Sequence, residues 1–440
     1  MLRTLLTNRT WRHLFAAQVI ALTGTGLATV ALGLLAWRIA GADAGLVLGT
    51  ALAIKMIAYV TLSPIAAALA VKLPRRGLLV TLDLMRTAIA LVLPFVTEVW
   101  QIYVLIFLLQ SASAGFTPTF QATIPDVLPD EKDYTRALSL SRLAYDLESL
   151  VSPMLAALLL TLVSFHTLFA GTVIGFLASA ALVVSVLLPS PKPTTPCPIY
   201  ERTTRGMRIY LATPRLRGLL AVNMAVAAAG AMVIVNTVVI VQGAFGLSQQ
   251  STALALAAFG GGSMLAALTL PRLLETVSDR AAMLTGVALM IAGLVAGTVM
   301  PGFMMLLPLW FVIGIGYSSA QTPSGRLLRR SSHPEDRPAL FAAQFALSHA
   351  CWLVTYPLAG WLGATLGLNP TFVVLAVMGA VALAAAFLIW PATDRETVPH
   401  KHPELPDSDP HWKEGTPSGG HRHAHAFIID DLHPQWPREP

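Results

Sequence analysis

The feature that most limits the fold of this chain is a series of twelve apolar runs, each long enough to cross a bilayer. A transmembrane helix needs ~20 consecutive apolar residues. The predicted spans cover residues 13–37, 44–70, 78–97, 99–120, 137–163, 165–188, 217–241, 246–270, 282–300, 303–324, 339–363 and 370–390. Only 12% of the residues are charged, about half the share found in soluble domains. The sequence therefore predicts an all-α membrane protein with twelve transmembrane helices.

Lysine and arginine positions give the predicted topology. Cytoplasmic loops are enriched in these residues, and 25 of the 29 fall in the N-terminus, the even-numbered loops, the linker after span 6 or the C-terminal tail. The odd-numbered loops hold only Arg38, while Lys55, Arg86 and Arg142 lie inside spans. This predicts a multi-pass protein of a bacterial-type inner (plasma) membrane with both termini cytoplasmic. It argues against nucleic-acid binding, which calls for a basic face with interleaved aromatic residues.

The two halves of the chain share a sequence layout. A Thr-Pro pair at 117–118, expected to end a helix, is followed by a charged loop and Pro153, and a second pair at 322–323 precedes Pro357 in the same way. Repeated six-helix halves are typical of transporters, whose substrate site lies between the repeats near mid-membrane. The predicted parts are an N-terminal bundle at 1–188, a cytoplasmic linker at 189–216, a C-terminal bundle at 217–390 and a disordered, histidine-rich cytoplasmic tail at 391–440.

The sequence carries no motif for ATP hydrolysis. The phosphate-binding loop of a primary pump contains a Gly-Lys pair, and none of the six lysines follows a glycine. An ion gradient is the predicted energy source, and no enzymatic activity is expected. A channel is disfavoured by the two-fold repeat and by the lack of a filter-like segment. A membrane sensor and an uptake carrier stay open as alternatives.

Several segments resemble a known transporter family over about residues 10–395. They read LAVKLPRRGLLVTLDLMR, SASAGFTPTFQATIPDVLP, ALSLSRLAYDLESLVSP, RGMRIYLATPRLRGLL and FGGGSMLAALTLPRL, with Pro64 ahead of the first. These segments resemble the major facilitator superfamily, in particular its drug- and siderophore-exporting branch of macrolide and enterobactin exporters. The resemblance implies two pseudo-symmetric six-helix bundles that alternate between inward-open and outward-open states.

The resemblance also implies a cytoplasmic gate. Its charged positions fall on Arg75, Arg76, Asp83 and Arg86. Asp83 and Arg86 are three residues apart and can pair on one helix face. The acid that the family usually has in this loop is replaced by Val71. The Gly-Pro motif of span 5 reads Ser-Pro at 152–153.

Four ionisable residues inside the spans are candidates for proton coupling or substrate contact. Carboxylates in a membrane are costly and usually functional, which selects Asp146 and Glu148 of span 5. Lys55 lies deep in span 2 and could pair with either carboxylate or contact an anionic substrate. His349 of span 11 falls almost opposite Asp146 in the repeat alignment. The alternatives are an interfacial position for the acids, a lysine that extends to the interface and a histidine that only packs.

Four amides are predicted to line a central cavity or, equally, to form hydrogen bonds between helices. They are Gln110, Asn223, Asn236 and Gln321.

The tail is the least typical part of the chain. Seven of the eleven histidines lie here, six of them proposed as metal ligands: His400, His402, His421, His423, His425 and His433. Short histidine-rich tracts are a compositional signal for metal binding, and imidazole with carboxylate suits nickel, cobalt, zinc or copper. The tail resembles those of nickel-resistance exporters in the same superfamily. A solvated, disordered tail without metal is the alternative.

The sequence therefore predicts a secondary active transporter in membrane lipid, exporting a small amphipathic organic solute of the drug or siderophore class in exchange for protons. A nickel- or cobalt-type divalent metal exporter with a metal-capturing tail is the alternative. The apolar spans favour the organic solute, and the tail favours the metal.

Overall fold

The computed structural model describes most of the chain. The described residues are 8–70, 73–128, 130, 133, 137, 140–141, 144, 148, 151–152, 154–189, 199–300, 302–333, 336–393, 397–401, 416–417, 422–430 and 432–437. Side chains are left out of the description at 63–70, 118, 121–122, 125, 153, 199–203, 271, 337–338, 400–401, 416–417, 422 and 426.

Long helices form the N-terminal half. They are α1 (Arg9–Ala40), α2 (Ala44–Ala70), α3 (Arg75–Val92), α4 (Val99–Val127) and α5 (Phe165–Val184). They correspond to predicted spans 1, 2, 3, 4 and 6, and span 5 lies largely outside the described residues. A 3-10 turn at Gly41–Asp43 separates α1 from α2.

One predicted helix end is wrong. The Thr-Pro pair at 117–118 does not close α4, which continues to Val127. A proline inside a membrane helix is tolerated where neighbouring groups satisfy the freed backbone carbonyl. The second pair behaves as expected, because the tenth-span helix ends at Gln321.

The second half begins with a helix in the predicted linker. The helices are α6 (Ile199–Ala212), α7 (Pro214–Val238), α8 (Gln249–Leu273), α9 (Asp279–Gly297), α10 (Phe303–Gln321), α11 (Ser324–Arg330), α12 (Arg337–Thr365) and α13 (Leu368–Ile389). Helices α7 to α10, α12 and α13 correspond to spans 7 to 12. Helix α6 packs along α12: Tyr210 donates a hydrogen bond to Gln344 at 2.5 Å, and Arg205 pairs with Asp336.

The two halves pack in the same way, which confirms the predicted two-bundle fold. In the N-terminal half, α1 packs on α5, α2 on α4, and α3 on both α4 and α5. The equivalent C-terminal pairs are α7 with α13, α8 with α10, and α9 with both α10 and α13. Ten stretches of the described residues are long and apolar enough to span a membrane, the first of which contains both α1 and α2.

Glycines bring the backbones of the two bundles into contact where α2 meets α12. A Cβ atom on Gly49 would lie 2.5 Å from the Tyr356 carbonyl oxygen, and one on Gly360 would lie 2.3 Å from the Gly45 carbonyl oxygen. Small residues allow this close approach in membranes. All four residues lie in the helix halves that the topology assigns to the outside.

Two further contacts close the same side. The Trp37 ring at the end of α1 packs against Gly243, just beyond α7. The Gln250 amide at the start of α8 donates to the Leu160 carbonyl oxygen at 3.0 Å. The described bundles are therefore joined on the predicted external side.

The described part of the tail contains a small sheet. Strands β1 (Thr397–Lys401), β2 (Thr416–Pro417) and β3 (Arg422–Ala426) form an antiparallel sheet in the order β1-β3-β2. Beyond it, Phe427 and Ile429 are 3% and 0% exposed. These apolar side chains belong to the same buried cluster as residues of the C-terminal helices, a contact that the histidine- and proline-rich composition conceals.

The tail docks on the C-terminal bundle. The Arg215 guanidinium of α7 lies 5.2 Å from the Trp436 ring centroid and donates to the Phe427 carbonyl oxygen at 3.4 Å. His333, in the loop before α12, lies 3.5 Å from the Asp430 carboxylate. The tail thus contacts the bundle end that the topology assigns to the cytoplasm.

Candidate functional site

A small cavity lies inside the N-terminal bundle at mid-membrane. Its volume is about 20 Å³, room for about one water molecule. Thr29, Lys55 and Gln110 line it, and each lies eleven residues from the predicted external end of its helix. At 1.5 Å per residue this is a depth of ~16 Å, near the middle of a ~30 Å hydrocarbon core. The other lining residues are Thr25, Ala28, Leu32, Leu52, Leu93, Ile106, Leu109, Ser113 and Phe176.

The polar groups of the cavity differ in how they are hydrogen-bonded. The hydroxyls of Thr25, Thr29 and Ser113 donate to carbonyl oxygens one turn back in their own helices, at 3.0, 3.1 and 3.0 Å. Gln110 is 6% exposed, and its amide oxygen has no hydrogen-bond partner in the described part of the chain. Most buried polar atoms in native structures are paired. This amide can therefore accept a hydrogen bond from a group that enters the cavity.

Lys55 and Glu148 lie within electrostatic range of each other. Both residues are described, and no N–O distance of 4.0 Å or less joins their charged groups. Glu148 also lies within electrostatic range of Tyr356 on α12, which places it where the two bundles meet. Span 5 approaches α1 here, because a Cβ atom on Gly26 would lie 3.4 Å from Glu148 Cγ.

A ring contact crosses between the bundles one turn along α2. The Tyr59 ring centroid lies 5.7 Å from that of His349 on α12 and 5.9 Å from Lys55 Nζ. Nδ1 of His349 is 2.7 Å from a carbonyl oxygen of its own helix. The structure thus brings Lys55, Glu148 and His349 to one zone of the bundle interface. Asp146, the fourth predicted residue, lies outside the described residues.

Asp83 and Arg86 form a buried ion pair within the N-terminal bundle. The Ser179 hydroxyl donates to the second carboxylate oxygen of Asp83 at 2.7 Å. The Arg86 guanidinium lies 4.1 and 4.5 Å from the ring centroids of Phe116 and Phe176. These contacts join α3 to α4 and α5, so the pair braces one bundle.

Arg75 and Arg76 hold the start of α3. Arg75 pairs with Asp126 near the end of α4, and Arg76 donates to the Val184 carbonyl oxygen at the end of α5. The three helix ends share the predicted cytoplasmic side. The gate assigned to these arginines stays a prediction, and the contacts named here tie the helices of a single bundle.

The four predicted cavity amides are placed apart. Gln110 reaches the cavity described above. Asn223 is buried beside Tyr210 of the linker helix. Asn236 donates to the Ala359 carbonyl oxygen of α12 at 3.1 Å, and Gln321 is half-buried at the end of α10.

Three tail histidines lie side by side. The ring centroids of His423 and His425 are 5.0 Å apart, and those of His425 and His433 are 5.2 Å apart. The His433 ring nitrogen is 2.8 Å from an Asp430 carboxylate oxygen. Burial alone would raise the pKa of Asp430, but hydrogen bonds from His433 and Leu432 and the charge of His433 bring that pKa below its ordinary value.

The described residues contain no group of three or more His, Cys, Asp or Glu side chains arranged to hold a metal ion. His402, His421 and the side chain of His400 lie outside the described residues. The metal-capturing role of the tail stays a prediction.

Three further residues take part in these contacts, although their sequence context does not predict it. Tyr59 and Tyr356 flank Lys55 and Glu148 at the interface, and Ser179 bonds Asp83 inside the N-terminal bundle. Tyrosine and serine are common packing residues in spans, and their role depends on the rotation of each helix. The one usable signal was the position of Tyr59 one turn after a buried lysine.

Comparison with known proteins agrees with this architecture. The family model of the Major Facilitator Superfamily matches residues 14–237 and 219–424. A search of curated proteins finds no match.

Solved structures share the fold at low identity. A bacterial homologue of the human lysosomal transporter Spinster, inward-facing and unoccupied, has a TM-score of 0.69 at 14% identity, covering 87% of this chain and 97% of its own. A POT family transporter in complex with 5-aminolevulinic acid has a TM-score of 0.68 at 11% identity, covering 87% and 97%. A D-xylose–proton symporter has a TM-score of 0.63 at 14% identity, covering 89% and 99%. With the repeated bundles and two family matches that together span most of its length, the chain belongs to the Major Facilitator Superfamily.

Proposed function

We propose that this protein is a proton-coupled secondary active transporter that exports a small amphipathic organic solute from the cytoplasm. The observation that carries the proposal is the nearness of Lys55 and Glu148 at mid-membrane, where the bundles meet. Ionisable groups in a membrane interior are costly and usually functional. A repeat-built transporter has its site at this depth.

Glu148 is the group whose charge the transport cycle changes. Lys55 faces it from α2 and Tyr356 from α12, while Tyr59 and His349 lie further along the interface. A proton drives alternating access only if it binds the two states differently. Protonation of Glu148 removes a negative charge from the contact between the bundles, and so supplies that difference.

The chemical class of the solute and the direction of its transport are supported by different observations. The cavity lining is mostly apolar with a few polar groups, the usual character of an organic-ligand site. The outward direction rests on the exporter-like segments of the sequence. Metal export has no support from the described side chains and enters as an alternative outcome of the flux experiment.

The experiment uses the full-length protein in vesicles that enclose a pH-sensitive dye. Amphipathic solutes of each charge class, with Ni²⁺ and Co²⁺, are tested with and without an imposed pH gradient. We expect Glu148→Gln to lower proton-coupled flux by at least ~tenfold while solute counterflow persists. Glu275→Gln, an exposed carboxylate outside the spans, is the matched control.

Two results would contradict the proposal. Gradient-driven flux of Ni²⁺ or Co²⁺ without organic flux would make the protein a metal exporter. If Glu148→Gln keeps full proton coupling and Asp146→Asn loses it, the coupling residue is Asp146.

A further inference from the structure

We infer that the cavity beside Lys55 and Gln110 binds the anionic group of the transported solute, for which a carboxylate is the simplest chemistry. The inference rests on the proposed function and adds the charge class of the solute. It is carried by three features of the described residues: a cation without a direct ion pair, a buried amide whose oxygen has no hydrogen-bond partner, and apolar walls.

Lys55 supplies the positive charge. Two other cations of the N-terminal helices are neutralised by direct ion pairs, Arg86 with Asp83 and Arg75 with Asp126. No described carboxylate lies within 4.0 Å of Lys55, and its counter-charge acts only from a distance. A cation at mid-membrane without a described carboxylate in direct contact attracts an anion.

Gln110 supplies the hydrogen-bonding group. Its amide is buried on the same cavity, and its oxygen has no partner in the described part of the chain. The oxygen and nitrogen of such an amide exchange places by a flip of the side chain. A carboxylate between Lys55 and Gln110 would accept from the ammonium and from the amide N–H, and the amide oxygen can accept from the ammonium.

Apolar side chains surround these polar groups. Seven of them line the cavity, among them Leu32, Leu52 and Phe176. A volume of about 20 Å³ holds about one water-sized group, so at most the oxygens of the headgroup enter it and the body of the solute lies outside. The solute class is an amphipathic organic monoanion.

An anion in this cavity also acts on the charge of Glu148. Of the described titratable groups, Lys55 from α2 and Tyr356 from α12 face Glu148. An anion bound to Lys55 adds negative charge near Glu148, and like charges favour the protonated carboxyl. Binding of the anion and protonation of Glu148 are therefore linked in the state that the structure shows.

The binding experiment uses the full-length protein in nanodiscs with three probes of one shape: 4-phenylbutyrate, 4-phenylbutanamide and 4-phenylbutylammonium. We expect only the anion to raise the unfolding temperature. Lys55→Met should weaken its binding by at least ~tenfold, and Lys55→Arg should restore most of it. Gln110→Leu should weaken it several-fold, while Gln249→Leu at the start of α8 and Lys401→Met in the tail serve as matched controls.

A second readout tests the linkage. In weakly buffered solution, 4-phenylbutyrate binding should take up protons, and Glu148→Gln should abolish that uptake while the anion still binds. Unfolding of each variant without ligand controls for folding. The inference is wrong if 4-phenylbutyrate fails to bind, if the amide or the ammonium probe binds as tightly, or if Lys55→Met binds the anion normally.

The outcomes separate this inference from the proposed function. Proton-coupled flux of the amide or ammonium probe, with no anion binding, would overturn the inference and leave the transporter proposal standing. Binding of the anion at Lys55 without any coupled flux would overturn the proposal and leave the subsite.

Discussion

At the scale of residues, the Asp83–Arg86 pair shows how a charge is kept inside an apolar bundle. Both side chains are almost fully buried, and removing charges from water is costly unless they are paired and hydrogen-bonded. Here Ser179 bonds the carboxylate and two phenylalanine rings cover the guanidinium. If one partner is removed, the other remains as an unpaired buried charge, and the protein loses stability.

Breaking this pair should therefore cost more than removing it. We expect Arg86→Met alone to destabilise the protein by about 3–5 kcal/mol, since Asp83 would remain buried without its partner. The double variant Asp83→Asn with Arg86→Met should recover part of that loss. Thermal unfolding of both single variants and the double variant measures the coupling. Strictly additive losses would show that the two groups do not stabilise each other.

Only some of these side-chain contacts can be predicted from the sequence. The three-residue spacing of Asp83 and Arg86 correctly predicts their pairing, because it follows from helix geometry alone. The separation of Gln110 from Asn223, Asn236 and Gln321 could not be predicted. It depends on how each helix is rotated in its bundle, and apolar spans have no strong polar face that reveals this rotation.

At the scale of elements, the contact of α2 with α12 is made of backbone more than of side chains. Gly49 and Gly360 leave no room for a Cβ atom. Tightly packed interfaces tend to be either fully formed or open. This contact is therefore a seal that must break as a whole when the predicted external side opens.

Gly49→Ala should shift the protein toward the outward-open state. The new methyl group would lie 2.5 Å from the Tyr356 carbonyl oxygen, a distance that forces the helices apart. Hydrogen–deuterium exchange over residues 44–53 should increase, with solute binding from outside favoured. Gly325→Ala, where a Cβ atom has nothing within 4 Å, is the matched control. Equal hydrogen–deuterium exchange in the two variants would show that the α2–α12 contact does not control opening of the external side.

The length of an apolar run predicts that a helix is present, but it does not predict the residues at which the helix begins and ends. Apolar runs end where lipid ends, but backbone hydrogen bonds continue into the loops. Thus α4 extends to Val127, past the predicted end at residue 120, and Thr119 and Thr123 bond back to carbonyl oxygens along it.

At the scale of the whole molecule, the two bundles are equivalent inside the membrane and unequal outside it. The repeat predicts the equivalence. The inequality comes from α6 and the tail, whose described contacts are with the C-terminal bundle. A composition dominated by histidine and proline hides the few apolar residues, Phe427 and Ile429 among them, that allow the tail to fold.

Topology is the whole-molecule prediction. Reporter fusions after Leu188 and Pro391 should both read cytoplasmic, and a fusion after Ser164 should read external, because basic residues segregate to one side of twelve spans. An external signal at Pro391 would mean that the second half has an odd number of spans.

The attachment of α6 and the tail affects how the C-terminal bundle can move. With α6 lying along α12 and the tail held by Arg215 and His333, the C-terminal bundle carries added mass on its cytoplasmic end. The N-terminal bundle contains Lys55, Gln110 and the braced Asp83 pair. A rigid-body movement of the C-terminal bundle must therefore carry α6 and the docked tail with it, whereas the described N-terminal bundle carries no such attachment.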